Sequence, residues 1–297
     1  MIEVHPNTER LEQISLATRT NSLLPWLTAL ALLTVWLYSN AIIGLAEEWW
    51  TNPDYGHGLV VPLFVGYVIW RDWDRIRSTP LSPSNLGLPL LAAALLMFLT
   101  GVIGLEQFLS RSSLVVLLAG MVLFLGGRRM LRVLAFPLGY LLLMVPLPAL
   151  IFNQITFPLQ LVASRLAALG LHLAAIPVLR QGTLLSVPGY NMEVAQACSG
   201  IRSLLSLLAV VVAFLYFGER RTWIRVAMIA LVAPVAVAGN SLRVFCAGWL
   251  GFVGGRRLAD GFLHLFSGWV IFVSATILLL WAHKMLSRAA FRQERAA

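Results

Sequence analysis

Apolar residues recur in long runs from Leu23 almost to Trp281, and short polar segments separate these runs. Several runs approach the roughly 20 residues that an α-helix needs to cross the hydrocarbon core of a bilayer. The runs do not show the alternation over about ten residues that is typical of transmembrane strands. The pattern therefore predicts an all-α, polytopic helical membrane protein.

The apolar runs predict about eight transmembrane helices in one domain, residues 23–283. A polar cytoplasmic tail (residues 1–22) precedes it and a basic cytoplasmic tail (residues 284–297) follows it. The first run is longer than the apolar part of a signal peptide, so we expect it to be an uncleaved span. The expected spans are residues 23–45, 59–70, 86–105, 114–126, 133–145, 201–217, 224–245 and 265–283.

Residues 153–176 are apolar but also contain Asn153, Gln160, Arg165 and His172. If this segment crossed the membrane, the basic cluster around Arg220 would lie outside, against the usual excess of basic residues on the cytoplasmic side. We therefore expect an amphipathic helix along the periplasmic interface. The stretch from residue 177 to 196, with Gly182, Pro188 and Gly189, predicts a small extended hairpin beside it.

Composition supports a membrane protein and argues against nucleic-acid binding. The chain has 297 residues, is 59% hydrophobic and 12% charged, and carries a net charge of +9; soluble domains carry about 25% charged residues. Its basic residues form clusters between apolar runs, without a basic arm or an aromatic-basic surface. Fifteen of the 22 basic residues face the cytoplasm in the expected topology: Arg10, Arg19, Arg71, Arg75, Arg77, Arg128, Arg129, Arg132, Arg220, Arg221, Arg225, Lys284, Arg288, Arg292 and Arg295.

Cys198 is the first candidate for chemistry, because it begins an apolar helix on the expected outer side. A thiol in the first turn feels the positive end of the helix dipole, which favours the reactive thiolate. Two other interpretations stay open: a small packed residue, or a disulfide with Cys246 near an oxidising periplasm.

Arg243 and His264 are expected at the same depth and on the same face as Cys198. A charged group at the end of a span usually faces a cavity or a partner, although Arg243 could also snorkel to the interface. Cysteine catalysis requires a thiolate, a proton donor for the leaving amine and a group that stabilises the oxyanion. These three residues supply such groups together, while none is convincing alone.

Four further residues are candidates for substrate binding: Arg202, His57, Arg256 and Arg257. Arg202 lies four residues after Cys198, on the same helical face, and could hold a substrate carboxylate or form an ion pair. The chain lacks motifs with metal-ligand spacing such as His-Glu-x-x-His. We expect neither a metal nor another cofactor.

The chain resembles the exosortase/archaeosortase family, which is associated with PEP-CTERM sorting signals in Gram-negative bacteria. The resemblance rests on Ala-Cys-Ser-Gly-Ile-Arg at 197–202, Asn-Ser-Leu-Arg-Val at 240–244, His264 before Phe-Ser-Gly-Trp, and Tyr-Gly-His-Gly-Leu-Val at 55–60. It implies a triad of Cys198, Arg243 and His264 in a cysteine transpeptidase of the bacterial inner membrane. Its partners would be exported proteins that bear a PEP-CTERM signal, together with membrane lipid, and the site would face the periplasm.

Three other classes remain open from the residues. A transporter would place polar groups along a path through the bilayer, whereas here they gather at one face. A serine-type intramembrane protease could use Ser199 with His264, but the usual Gly-x-Ser context is absent. The third alternative is a non-catalytic subunit for exopolysaccharide export.

Overall fold

The computed structural model describes residues 25–26, 28–194, 200–259 and 262–296, with side chains except at 200, 256–259, 262–267 and 293–296. The expected cytoplasmic tail, residues 1–22, lies outside the described residues. The described residues up to Glu47 belong to the first of two compact units. Its described part contains helix α1 (Thr28–Leu37) and most of helix α2 (Ser39–Thr51).

The second compact unit, Glu48–Ala297, contains the remaining elements. Its first half is a series of helices, most of them apolar. In chain order they are the 3-10 segment Pro53–Leu59, α3 (Val60–Arg71), α4 (Trp73–Ser78), α5 (Gly87–Ile103), α6 (Gln107–Leu125), α7 (Gly127–Leu141) and the 3-10 turn Leu142–Met144.

The second half combines one small sheet with four long helices. Its elements are α8 (Ala149–Leu173), β1 (Leu179–Gln181), β2 (Leu184–Val187), β3 (Tyr190–Glu193), α9 (Gly200–Gly218), α10 (Thr222–Ala259) and α11 (Phe262–Ala296). Within α10, Gly255 has a non-helical backbone, so the helix is kinked near its end.

The extended hairpin expected within residues 177–196 is confirmed and contains a third strand. The strands are antiparallel in the order β1-β2-β3, with Leu185 opposite Met192. Pro188 and Gly189 form the turn between β2 and β3, and Gly189 has φ 81°. Proline followed by a residue at positive φ is typical of a type II turn.

Two of the apolar cores formed by described residues pack the sheet and the long helices of the second half. One packs the inward side chains of the sheet between α8 and α10, and the other packs α9 against α10 and α11. The first consists of Ala163, Ala167, Leu185, Met192, Val194, Val244 and Ala247, and the second of Leu207, Val211, Leu215, Ile224, Met228, Val232, Ala236, Ala275, Leu279 and Ala290. The first core fixes the sheet beside the segment of α10 that carries Arg243.

The all-α membrane fold is confirmed, but the expected count of eight spans is not. Four helices are long and apolar enough to cross a bilayer, at Gln107–Leu125, Ile201–Gly218, Thr222–Gly255 and Gly268–Arg292; two bent pairs among the described residues could raise the number to six. Helix α3 has 12 residues, which extend only about 18 Å at 1.5 Å per residue. It does not reach across about 30 Å of hydrocarbon by itself.

Helix α8 corresponds to the segment expected to lie along the membrane interface. Its axis makes an angle of 79° with the preceding helical segment Gly127–Met144. Thr156, Gln160 and Ser164 are buried inside the protein, while Arg165 and His172 are exposed. The polar residues therefore divide between an inner and an outer face, and the interfacial orientation stays a prediction.

A buried polar cluster ties the short turn after α9 to α11. The carboxylate of Glu219 is 6% exposed and accepts hydrogen bonds from the backbone amides of Arg220 and Arg221. His283 Nε2 lies 3.1 Å from Glu219 Oε2, and the Ser287 hydroxyl donates to the same oxygen. Burial opposes ionisation of Glu219, but these hydrogen bonds outweigh it and lower the pKa of the carboxyl group. The cluster therefore holds an ionised carboxylate at neutral pH.

We expect Glu219→Ala to destabilise the protein by about 3–5 kcal/mol, because removing one partner leaves buried polar groups unsatisfied. Since the folded-state pKa of Glu219 is lowered, its contribution is present above the unfolded value and is lost as the pH falls through the folded one. Thermal unfolding in detergent measures both effects. An unchanged unfolding temperature in Glu219→Ala, with Asp74→Ala as the exposed control, would show that the cluster does not stabilise the fold.

Candidate active site

Two of the functional candidates line a cleft between the beginning of α9, the middle of α10 and the beginning of α11. The cleft has a volume of about 380 Å³. Its lining residues are Arg202, Ser203, Ser206, Arg243, Gly268, Trp269 and Phe272. Two of the predicted residues, Arg202 and Arg243, are thus brought to one cavity from positions 41 residues apart in the chain.

Arg243 is not an exposed surface residue. It is partly buried, and it also lines a smaller adjoining cavity with Asn240 and Gly268. Gly268 faces the guanidinium so closely that a Cβ built there would lie 3.4 Å from Arg243 Cζ. A guanidinium placed in a confined cavity interacts strongly with negative charge, because little water screens it.

Arg202 lies at the more open part of the cleft. Its side chain is 47% exposed, and its Nε lies 3.1 Å from Asp54 Oδ1 in an ion pair. Asp54 belongs to the 3-10 segment Pro53–Leu59, so the pair joins this segment to the beginning of α9. Of the two interpretations considered for Arg202, ion pairing is observed in the structure, and binding of a substrate carboxylate stays a prediction.

The 3-10 segment is itself fixed to the turn Leu142–Met144. Trp49 Nε1 donates to the carbonyl oxygen of Met144 at 2.8 Å, and His57 Nε2 lies 3.2 Å from the carbonyl oxygen of Leu143. A Cβ at Gly58 would lie 2.3 Å from the Trp49 indole, so a larger residue does not fit there. This packing accounts for the glycine after His57 in the Tyr-Gly-His-Gly segment.

A second ion pair anchors the same region. Arg111, buried in the first turns of α6, donates to the Glu48 carboxylate. A buried arginine at this depth requires such a partner, since an uncompensated charge there is costly. Glu48, Trp49 and His57 together hold the segment that carries Asp54.

The predicted Cys198 lies outside the described residues, two positions before the start of α9 at Gly200. His264 lies in α11, four positions before Gly268, and Arg256 and Arg257 lie near the end of α10. The structure describes the backbone of these last three residues but not their side chains. Among the described residues, no group of three or more His, Cys, Asp or Glu side chains could hold a metal ion.

Comparison with protein families decides what kind of protein carries this cleft. The family model for the transmembrane exosortases matches residues 49–281. The chain belongs to the transmembrane exosortase family. Searches of curated proteins and of solved structures found no match. In this exosortase, the matched region contains the whole cleft, the 3-10 segment and the predicted residues from His57 to His264.

The sequence did not identify several residues that shape the cleft of the exosortase. Ser203 and Ser206 are three residues apart in α9, and Trp269 and Phe272 are three residues apart in α11. This spacing was a usable signal, because residues three apart share one helix face. The pairing of Asp54 with Arg202 gave no such signal, since it links distant segments.

His57 was predicted to bind substrate, and this role stays a prediction. The described geometry gives it a contact within the protein: the Leu143 carbonyl can only accept, so the proton is on His57 Nε2. Burial lowers the pKa of His57, although the bond to the Leu143 carbonyl partly offsets it. The side chain is therefore a neutral imidazole at neutral pH.

We expect His57→Ala to lower the stability of the exosortase by about 1–3 kcal/mol, because the Leu143 carbonyl loses its donor. The lowered pKa also means that the unfolded chain binds a proton first, so the contribution of His57 declines as the pH falls through about 6.5. Thermal unfolding at several pH values tests this, with the exposed His172→Ala as the control. Unchanged stability combined with a raised KM would instead assign His57 to substrate binding.

Proposed function

We propose that this exosortase is a membrane-embedded cysteine transpeptidase that cleaves the C-terminal PEP-CTERM sorting signal of exported proteins on the periplasmic face of the inner membrane. The cleaved protein would then pass to a cell-surface or exopolysaccharide-linked acceptor, or to water. The observation that carries the proposal is the cleft with two guanidinium groups, which opens at the start of α9 just after the Ala-Cys-Ser-Gly motif, within a chain of the exosortase family.

In the proposed mechanism, the Cys198 thiolate attacks the carbonyl carbon of the scissile peptide bond. Negative charge develops on the carbonyl oxygen, and Arg243 stabilises it by donating hydrogen bonds. His264 protonates the departing amine as the carbon–nitrogen bond breaks, which leaves a thioester on Cys198. The acceptor nucleophile attacks the thioester, gives its proton to His264 and releases the thiolate.

Three features support Arg243 rather than Arg202 as the group beside the reacting carbonyl. Arg243 is the more buried of the two, it adjoins a smaller cavity, and it lies against α11 one turn after His264. Arg202 is more exposed and already carries an acidic partner. We therefore assign Arg202 to substrate binding, with Arg256 and Arg257 as further candidates.

The distribution of basic residues supports the proposed periplasmic orientation. The cluster Arg220–Arg225 follows the end of α9 that is opposite to Arg202. The cluster Arg128–Arg132 begins α7, and Phe136 of the same helix stacks on Tyr216 near that end of α9. An excess of basic residues in short loops marks the cytoplasmic side. This distribution supports a cleft that opens to the periplasm.

A membrane-impermeant maleimide tests this orientation in spheroplasts. In a Cys246→Ala background, which removes a free thiol of α10, we expect Cys198 to be labelled without permeabilisation. Labelling that requires permeabilisation would contradict the periplasmic site. If no label is seen with or without permeabilisation, labelling of a denatured sample shows that the Cys198 thiol is buried in the folded protein.

A further inference from the structure

The ion pair between Asp54 and Arg202 involves only one edge of the arginine. The contact is made by Nε at 3.1 Å from Asp54 Oδ1. The guanidinium is planar and carries five donors, and the edge formed by its two terminal nitrogens is separate from Nε. One carboxylate can therefore hold Arg202 while the other edge binds a second carboxylate.

Asp54 is a fixed partner rather than a mobile surface acid. It is 22% exposed on its side chain, and its backbone amide donates to Asn52 Oδ1 at 3.0 Å. The surrounding segment is fixed to the Leu142–Met144 turn through Trp49 and His57. A long arginine side chain loses rotamer freedom when it binds a ligand, and this loss of entropy weakens binding. Because Asp54 already restricts the rotamers of Arg202, less entropy is lost when a ligand binds.

The cleft beside Arg202 has the chemistry of an anion site with an apolar wall. Arg202 and Arg243 both line it, and none of the seven lining residues that the structure describes is acidic. Trp269, 71% exposed, and Phe272 form its apolar side. An extended segment with a carboxylate, continuing into an apolar stretch, matches this distribution of charge and surface.

We propose that Asp54 is a positioning residue that holds Arg202 in the orientation in which its free edge receives a carboxylate of the substrate. The inference rests on the proposed function, and it assigns the recognition of an acidic substrate segment to the pair rather than to Arg202 alone. Asp54 is not among the described residues that line the cleft, so it acts through Arg202.

The competing explanation is that the ion pair between Asp54 and Arg202 only links the 3-10 segment to α9 and stabilises the fold. The two explanations differ when the charges are exchanged. In the double variant Asp54→Arg with Arg202→Asp, the ion pair is restored, but an acid now lines the cleft. The exchange would restore the stability that a purely structural ion pair provides, but it would not restore recognition of an acidic substrate.

The first test measures KM and kcat on a peptide containing the acidic residue and on the same peptide with Gln in its place. We expect Asp54→Asn to raise KM for the acidic peptide about two- to fivefold, as for a partly exposed ion pair, and to leave kcat within about twofold. The effect should vanish on the Gln peptide and in an Arg202→Ala background. Asp74→Asn, which changes an exposed acid of α4, is the matched control.

The charge exchange gives the second test. We expect the double variant to keep the unfolding temperature of the parent protein but not its KM for the acidic peptide. Recovery of that KM, or an Asp54→Asn effect of equal size in the Arg202→Ala background, would overturn the inference. Cys198→Ala is assayed in parallel. Processing that continues in Cys198→Ala refutes the proposed function. If Cys198→Ala abolishes processing but the effects of Asp54→Asn and Arg202→Ala on KM are independent, only the positioning role is refuted.

Discussion

Replacing Cys198 with Ala is expected to reduce substrate processing by at least about a thousandfold. The proposed reaction forms its covalent intermediate on this sulfur, and a chain without its nucleophile keeps only what binding and oxyanion stabilisation provide. The measurement is the rate at which a reporter protein with a C-terminal PEP-CTERM signal is cleaved in membranes. Binding of the reporter should persist, because the two arginines of the cleft are unchanged.

Ser199→Ala is the matched control for this result, since it removes a hydroxyl group at the adjacent position. We expect it to keep processing within a few fold of the parent rate. The opposite pattern, with processing kept in Cys198→Ala and lost in Ser199→Ala, would favour a serine-type protease. Processing unaffected by both changes would favour a protein without catalysis, such as a transporter or an assembly subunit.

Replacing Arg243 with Ala is expected to lower kcat by about a hundredfold to a thousandfold, the usual effect of removing one donor to an oxyanion. Arg243→Lys keeps the positive charge but loses the planar pair of donors, so most of the loss should remain. Single-turnover rates measure the effect on the chemical step. Arg180→Ala, on the exposed strand β1, is the control and should behave like the parent protein.

Equal rates for Arg243→Lys and the parent protein would contradict this role. They would mean that position 243 supplies only a diffuse positive field. A large increase in KM with kcat unchanged would instead assign Arg243 to substrate binding.

Hydrophobic patterning was sufficient to place most helices of the second unit. The expected span 86–105 corresponds to α5, Gly87–Ile103, and the hairpin was predicted from Gly182, Pro188 and Gly189. Patterning could not decide how many helices cross the membrane. Helix α3 is apolar but short, and α7 and α8 meet at a sharp angle, which depends on packing between distant segments.

The candidate site could be predicted only where one helix carries the signal. Arg243 was recognised because its charge lies near the end of an apolar run, where it requires a cavity or a partner. Arg202 was recognised because it lies one helical turn after Cys198. The partners themselves could not be recognised. Asp54 pairs with Arg202 and Glu48 pairs with Arg111 across large sequence separations, and helical periodicity contains no information on such contacts.

The central claim is that Cys198 carries the substrate as a thioester, and trapping that intermediate tests it most directly. The parent protein is mixed with a reporter, quenched in acid and analysed by intact mass, with and without neutral hydroxylamine, which cleaves thioesters. We predict an adduct equal to the N-terminal part of the reporter, sensitive to hydroxylamine, located on the peptide containing Cys198 and absent from Cys198→Ala. Reporter cleavage without any adduct on Cys198, or an adduct that persists in Cys198→Ala, would contradict the account.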